Sequence, residues 1–229
     1  MKITWLGHSG FRIEIGDQVL LLDPWLTNPL FQPEKRAEAI ADATHILLTH
    51  GHFDHTADAV TIAKELDIPV VGMFDMVSYW ESAEGIKIIG FNKGGTVMLG
   101  DVAVTMVNAV HSSSISTDHG PMYAGGEAGY VLSHGDRAVY ISGDTDVMMD
   151  MELIEALHRP EIGILCAGGH FTMDMTRAAY AAKRFFNFKT LIPCHYKTFP
   201  ILSESAENLV QALPDVNVIE PEVMEPIVL

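Results

Sequence analysis

Cysteine is scarce: Cys166 and Cys194 are the only two in 229 residues. That is too few for a disulfide framework and fits a reducing compartment. Long apolar runs are missing. No stretch approaches the roughly 20 consecutive apolar residues that a membrane-spanning helix needs. The first ten residues, MKITWLGHSG, enter a strand pattern without the apolar core of a signal peptide. A soluble, cytoplasmic protein with no membrane partner is therefore expected. Cations are also few, with 14 Lys and Arg against 30 Asp and Glu, a formal net charge of −16 at pH 7. So acidic a surface repels phosphate backbones and disfavours nucleic acid as a partner. There is no low-complexity tract. Apolar residues make up 48% and charged residues 19%, an ordinary globular balance. The length suits one domain over residues 1–229, with a core that needs neither metal nor disulfide to fold. Histidine, by contrast, is abundant, with eleven residues, several of them clustered.

The apolar pattern predicts strands over Lys2–Leu6, Phe11–Ile15 and Gln18–Leu22, then a loop to Pro33 and a short helix over Glu34–Ala41. The strand HILLTH leads into the polar loop GHFDHT. A helix over Ala57–Leu66, the strand IPVVGM and a helix over Met76–Ala83 follow, an alternation that argues for parallel βαβ units. Strands over Ile86–Phe91, Thr96–Leu99 and Val102–Val107 read as a meander. His111–Gly129 reads as a long loop rich in Ser and Gly, in which Gly125, Gly126 and Gly129 suggest a close approach to something. A hairpin turns at Gly135-Asp136. A second alternating block has helices over Met151–Leu157, Thr176–Phe186 and Ser203–Leu213 and strands over Ile162–Cys166, Thr190–Pro193 and Val216–Ile219. Two halves that each run from strands into strand–helix alternation predict an α/β fold with two packed sheets and helices on both outer faces.

The strongest local signal is His50-Gly-His52-Phe-Asp54-His55 directly after a buried strand. Three imidazoles and a carboxylate crowded into six residues are costly unless something satisfies them. A divalent cation does so, because neutral imidazole and carboxylate are good ligands for it. In an extended segment His50 and His52 point to one side and can share an ion. Asp54 and His55, at the turn into the next helix, can reach a second. His111, Asp144 and His195 each close a predicted strand, where α/β sheets build their sites. Alone, each would more often be a hydrogen-bonded strand end.

The order and spacing of these residues resemble the metallo-β-lactamase superfamily, matching its motifs at Asp23, His50–His55, His111, Asp144 and His195. The stretches TWLGHS, THGHFDH, HSSSI, GGEAGY, SGDT, GGHFTM and PCHYKTFP narrow the resemblance. They are similar to the small branch of bacterial and archaeal metal-dependent hydrolases that also holds ascorbate-6-phosphate lactonase-like proteins. The resemblance implies an αββα sandwich with a dinuclear site at one edge. His50, His52 and His111 would bind one metal, Asp54, His55 and His195 the other, and Asp144 would bridge. Zn²⁺ suits such ligands first, and Mn²⁺, Fe²⁺ or Ni²⁺ tolerate the same set.

Chemistry agrees with that assignment, because two close cations hold a hydroxide at neutral pH and polarise the oxygen under attack. A carboxylate bridges two cations where a neutral imidazole does not, which suits Asp144. Asp54 can bind metal and also hydrogen-bond the nucleophile. Asp23 either orients a ligand His or only caps the turn before Pro24. His8 either contacts substrate or protonates a leaving group, or is a hydrogen-bonded core residue. His170 and Ser112 are candidates to face substrate. Lys197 would share a face with His195 if its strand continued, and would then suit an anionic group. Cys166 and Cys194 read as small core residues.

The expected activity is hydrolysis of a small, anionic ester-type substrate, a phosphodiester or an anionic lactone first, in preference to a long polyanion such as nucleic acid. A homo-oligomer stays open. Two rival readings remain: a mononuclear iron persulfide dioxygenase, which shares the His50–His55 pattern, and a non-catalytic metal-binding regulatory module. Other subfamilies fit less well. A secreted β-lactamase would carry a signal peptide, a hydroxyacylglutathione hydrolase a further helical domain, an RNA-processing member an inserted domain, and a flavodiiron oxidase Glu in place of His52.

Overall fold

The computed structural model describes residues Met1–Leu229. The chain opens with an antiparallel meander of β1 (Lys2–Trp5), β2 (Phe11–Ile15) and β3 (Gln18–Leu22). Phe11, Ile13 and Ile15 of β2 are buried while Arg12 and Glu14 point outward, the alternation of a strand with one face on a core. Next come α1 (Arg36–Ile40), β4 (His45–Leu47), the single turn α2 (Phe53–Thr56), α3 (Ala59–Leu66), β5 (Val70–Met73), α4 (Phe74–Glu84) and β6 (Ile88–Phe91). From β3 to β6 every pairing is parallel.

The second half follows the same plan. Strands β7 (Thr96–Leu99) and β8 (Val102–Asn108) lead to a separate two-stranded ribbon, β9 (Ser114–Thr117) and β10 (Gly120–Tyr123). Then β11 (Ala128–His134) pairs antiparallel with β8 and with β12 (Arg137–Ile141). After α5 (Asp150–His158), β13 (Ile162–Cys166), α6 (Met175–Phe185), β14 (Thr190–Cys194), α7 (Glu207–Ala212) and β15 (Asn217–Val218) complete a parallel run from β12. Finally β16 (Pro226–Val228) returns antiparallel to β1. The two seven-stranded sheets thus read β16-β1-β2-β3-β4-β5-β6 and β7-β8-β11-β12-β13-β14-β15 in matching order. Each has three antiparallel pairings followed by three parallel ones.

Both sheets and their helices feed one cluster of 66 buried apolar residues. In α6 the buried face is Met175, Ala178, Ala179, Ala181, Ala182 and Phe185, and its small alanines let the helix lie close to its sheet. The result is the expected α/β sandwich of two mixed sheets and helices. No helix is long and apolar enough to cross a membrane.

Local departures have local causes. The stretch expected to be one long loop over 111–129 contains the β9–β10 ribbon, whose Ser-rich strands carry too little apolar alternation to register as strands. Its glycines approach the protein itself. A Cβ on Gly125 would lie 2.6 Å from the Met73 side chain, and one on Gly129 2.7 Å from the Ile141 carbonyl. The last helix begins at Glu207 rather than Ser203, because the Ser203 amide is held by the Gly168 carbonyl and its own carbonyl accepts from Lys197. The edge strand β16 hides in a Pro- and Glu-rich tail, and its Pro226 stands where an edge strand tolerates a missing donor.

Candidate metal centre

The candidate residues converge where strands of both sheets end. Asp23 follows β3, His50 to His55 follow β4, His111 follows β8, Asp144 follows β12 and His195 follows β14. His8 lies just beyond β1. Three of these residues hold left-handed backbone that non-glycine residues rarely adopt: His8 at φ 53°, Asp23 at φ 41° and His195 at φ 59°. Such conformations cost roughly 1 kcal/mol or more each and collect at functional sites. The His195 amide donates to the His8 carbonyl at 3.0 Å, so the two sheets are tied together at the site floor.

Two groups of ligand atoms form around one carboxylate. His50, His52 and His111 make the first, with His50 Nε2 only 3.0 Å from His52 Nδ1. Asp54, His55 and His195, with His8, make the second. Between them Asp144 is buried, and four imidazole Nε2 atoms surround its carboxylate. They belong to His195 at 3.0 Å, His55 at 3.4 Å, His111 at 3.5 Å and His50 at 3.9 Å. All seven motif residues are therefore gathered in one place.

A second layer of buried groups holds the second cluster. Asp23 Oδ2 accepts from His55 Nδ1 at 2.8 Å and from the Thr49 hydroxyl at 2.7 Å, while its Oδ1 accepts from the Thr49 amide at 2.8 Å. This fixes the His55 ring so that Nε2 faces Asp144. The turn-cap reading of Asp23 gives way to that contact. His8 Nε2 lies 3.0 Å from Asp54 Oδ2, and its Nδ1 meets the Thr198 hydroxyl. His8 has no exposed surface and does not line the cavity. Of the two readings of His8, the hydrogen-bonded core residue is the one this placement matches: it sits behind Asp54, away from the cavity. On the first cluster the Thr49 hydroxyl lies 2.9 Å from His50 Nδ1, and the two outer ligands have thinner support. Ser112 Oγ lies 3.4 Å from His52 Nε2, and Glu127 accepts from the His111 amide at 2.9 Å.

Charge follows burial and neighbours. Burial pushes the His8 imidazole down to about 4, against the pull of Asp54. Burial also lowers His50, His52 and His111, leaving their nitrogens neutral and free to donate electron pairs. Burial opposes a charge on His55 too, yet the carboxylates of Asp144 and Asp23 outweigh it and hold the imidazole well above its usual range. Burial opposes the Asp144 charge, but His195 and His55 overcome it and hold the carboxyl well below the ordinary value.

These donors fit divalent metal. His55 Nε2 and Asp144 Oδ1 are buried without a hydrogen-bond partner, although each belongs to a group that is otherwise engaged. Leaving such atoms unpaired is costly, and a cation between them removes that cost. Mixed imidazole and carboxylate donors suit Zn²⁺ and its neighbours in the first transition row.

Beside the two clusters opens a cavity of about 550 Å³. Ser112 lines it. Lys197 does not. The strand stops at Cys194, the backbone turns at His195 and again at Lys197 (φ 67°), and the ammonium pairs with Glu220 at 2.6 Å. The positive group expected from Lys197 is therefore spent outside the cavity. His170 is exposed and also outside, and its ring packs against Phe171, which does line the cavity. The sequence reading missed Phe53, Phe171, Phe199 and Ile201 on the cavity wall and Thr49, Glu127 and Thr198 behind the ligands. Exposed aromatics beside the metal motifs were a signal for the first group. The second group lies far in sequence from its partners and left none. Cys166 and Cys194 are buried, free core thiols, as expected.

Comparison with known proteins agrees with this geometry. Residues 2–195 match the family described as the beta-lactamase superfamily domain. The chain is 67% identical over 228 residues to a UPF0173 metal-dependent hydrolase of Dinoroseobacter shibae, with 99% of each chain covered. It is 61% identical to one of Paracoccus denitrificans, again over 99% of each. Among solved structures, Igni18, described as a novel metallo hydrolase from the archaeon Ignicoccus hospitalis, superposes with a TM-score of 0.87 at 28% identity. That match covers 99% of this chain and 97% of the other.

Proposed function

Because the chain belongs to the metallo-β-lactamase superfamily and is a metal-dependent hydrolase, we propose that it cleaves a small ester-type substrate at a centre of two divalent cations. The observation that carries this is the convergence of four imidazoles on Asp144, with one cluster of ligand atoms on each side. His50, His52 and His111 would hold one ion, Asp54, His55 and His195 the other, and Asp144 both. Zn²⁺ is the first candidate. When bound, the pair supplies a hydroxide at neutral pH and a Lewis acid for the oxygen under attack.

The chain's own groups do the rest. Asp23 keeps a proton on His55 Nδ1, so Nε2 offers its lone pair to a cation that displaces the Nε2 proton. His8 and Thr198 hold Asp54 in one orientation, with its free oxygen available to accept a proton from the attacking water. Water adds across the acyl or phosphoryl bond: oxygen joins the acyl carbon or phosphorus, and the leaving oxygen takes a proton. Ser112, at the cavity edge beside His52, can donate to a substrate oxygen.

The test is a screen of metal-loaded protein against carboxylic ester, lactone, thioester and phosphodiester panels, with Zn²⁺ and Mn²⁺ in parallel. Turnover of an ester or lactone that a chelator abolishes and added metal restores supports the reading. Full turnover after the metal has been removed overturns it.

A further inference from the structure

The cavity has two unlike walls. One is aromatic and continuous. Phe53 meets Trp25 edge-on at 5.6 Å, Trp25 stacks on Phe199 at 5.7 Å, and Phe199 meets Phe171 at 6.4 Å. Phe171 in turn stands 6.5 Å from the His195 ring, and Phe199 stands 5.5 Å from His8, so this wall rises beside the Asp54 and His195 cluster. Phe53, Phe171 and Ile201 are 54%, 50% and 56% exposed, so large apolar surfaces face the cavity uncovered.

The other wall is hydroxylic. Ser112, Ser114 and Ser116 recur at every second residue along the segment that becomes β9, so they present one face, and all three line the cavity. Ser112 touches His52, which puts this wall on the side of His50, His52 and His111. Neither wall has a Lys or Arg, and Lys197 is paired with Glu220 elsewhere. The chain as a whole carries a formal net charge of −16. The two cations proposed above would attract the group under attack, but no side chain on either wall could pair with a further anionic group, and the acidic chain repels one at long range. Exposed aromatic faces instead gain by covering apolar surface.

We propose that the substrate is a small neutral ester-type molecule carrying an aromatic or bulky alkyl group on its acyl side. That group lies on the Phe53–Phe199–Phe171 wall, and the uncharged polar end reaches the serine row. This rests on the hydrolase reading above, and it replaces the anionic substrate expected from the sequence. A cavity of about 550 Å³ is of the size that takes small organic ligands.

A matched pair separates the two chemistries. Methyl 3-phenylpropionate and monomethyl succinate differ in having a phenyl group or a carboxylate at the same position. The ketones 4-phenylbutan-2-one and levulinate repeat the pair without a cleavable bond. Binding of the ketones to metal-loaded protein is read by calorimetry and by tryptophan fluorescence, since Trp25 touches the wall. We expect the phenyl ketone to bind at least about tenfold more tightly than levulinate, roughly what covering one phenyl face supplies. Phe171→Ala should remove most of that preference and raise KM for the phenyl ester while leaving kcat within about threefold, the signature of lost uniform binding. Phe53→Ala serves as a second variant should Phe171→Ala lose metal or fold. Ser116→Lys should shift the preference toward levulinate and monomethyl succinate. Preferred binding of levulinate, equal binding of both ketones, no binding of either, or no effect of either Phe variant overturns the inference. If the phenyl ketone binds as expected but no ester is cleaved, the wall assignment stands and the ester-hydrolase reading fails instead.

Discussion

The two sides of the metal centre are built differently. On one side Asp54 and His55 are backed by other buried groups. Asp23 and Thr49 hold His55, and His8 and Thr198 hold Asp54. On the other side only His50 is fully buried, held by the Thr49 hydroxyl; His52 and His111 are half-buried and rely on His50, a long contact to Ser112 and the Glu127 bond to a backbone amide. One side is set by the fold before any ion arrives. The other has imidazole nitrogens pressed together at 3.0 Å and is completed by the ion itself. The sides also face different cavity walls, aromatic beside the buttressed cluster and hydroxylic beside the open one. A rigid side can fix the attacking group while the more open side tolerates variation in substrate.

The largest effect should come from the residues common to both sides or central to one. Asp144→Ala and Asp54→Ala should each cost at least ~10²-fold in kcat, because loss of a ligand disturbs metal and nucleophile together. Circular dichroism should show the fold retained, since the core does not depend on the site. Wild-type kcat in Asp144→Ala at equal metal content would remove the bridge from the account.

Next in size is the contrast between the supports. Asp23→Ala strips a buried partner from His55 and Thr49. It should weaken metal binding by about 10- to 100-fold and lower the melting temperature. Glu127→Gln touches only a backbone amide and should change metal affinity by less than about threefold. Equal losses in the two variants, measured by competition with a chelator, would erase the difference between the sides.

A smaller effect concerns acid. His45 and His158 are not among the candidate ligands, and burial lowers both below the ordinary imidazole value. A folded-state value below the unfolded one means that the unfolded chain binds more protons as acid is added. Their contribution is thus present above pH 6.5 and is lost as pH falls below it. The melting temperature should fall from pH 7 to pH 5, and His45→Asn should flatten that slope in part. The smallest effect is expected for Lys197→Ala. Its ammonium serves Glu220 outside the cavity, so KM for neutral and anionic esters alike should stay within about twofold.

Much of this was legible in the sequence, for identifiable reasons. Histidines and aspartates placed at strand ends announce themselves, because apolar strands stop abruptly at Leu22, Leu48 and Ile141 and a ligand type follows. The α/β alternation predicted both parallel runs. What stayed hidden depends on three-dimensional placement. Lys197 follows His195 by two residues, but left-handed backbone at both positions breaks the strand alternation that would have put them on one face. His8 looked free to act on substrate, and only the packing of Trp25 and Phe199 around it shows that it is enclosed. The serine row became readable as a wall only once β9 paired with β10.

The central claim is that both sides hold an ion. The most direct test is the metal content of protein saturated with Zn²⁺ or Mn²⁺ and freed of loosely bound ions, measured by mass spectrometry against an accurate protein concentration. The account predicts close to two ions per chain, falling to about one in His52→Ala and with the remaining ion on the Asp54, His55 and His195 side. A reproducible single ion in the saturated wild-type protein would contradict it and favour the mononuclear oxygenase reading.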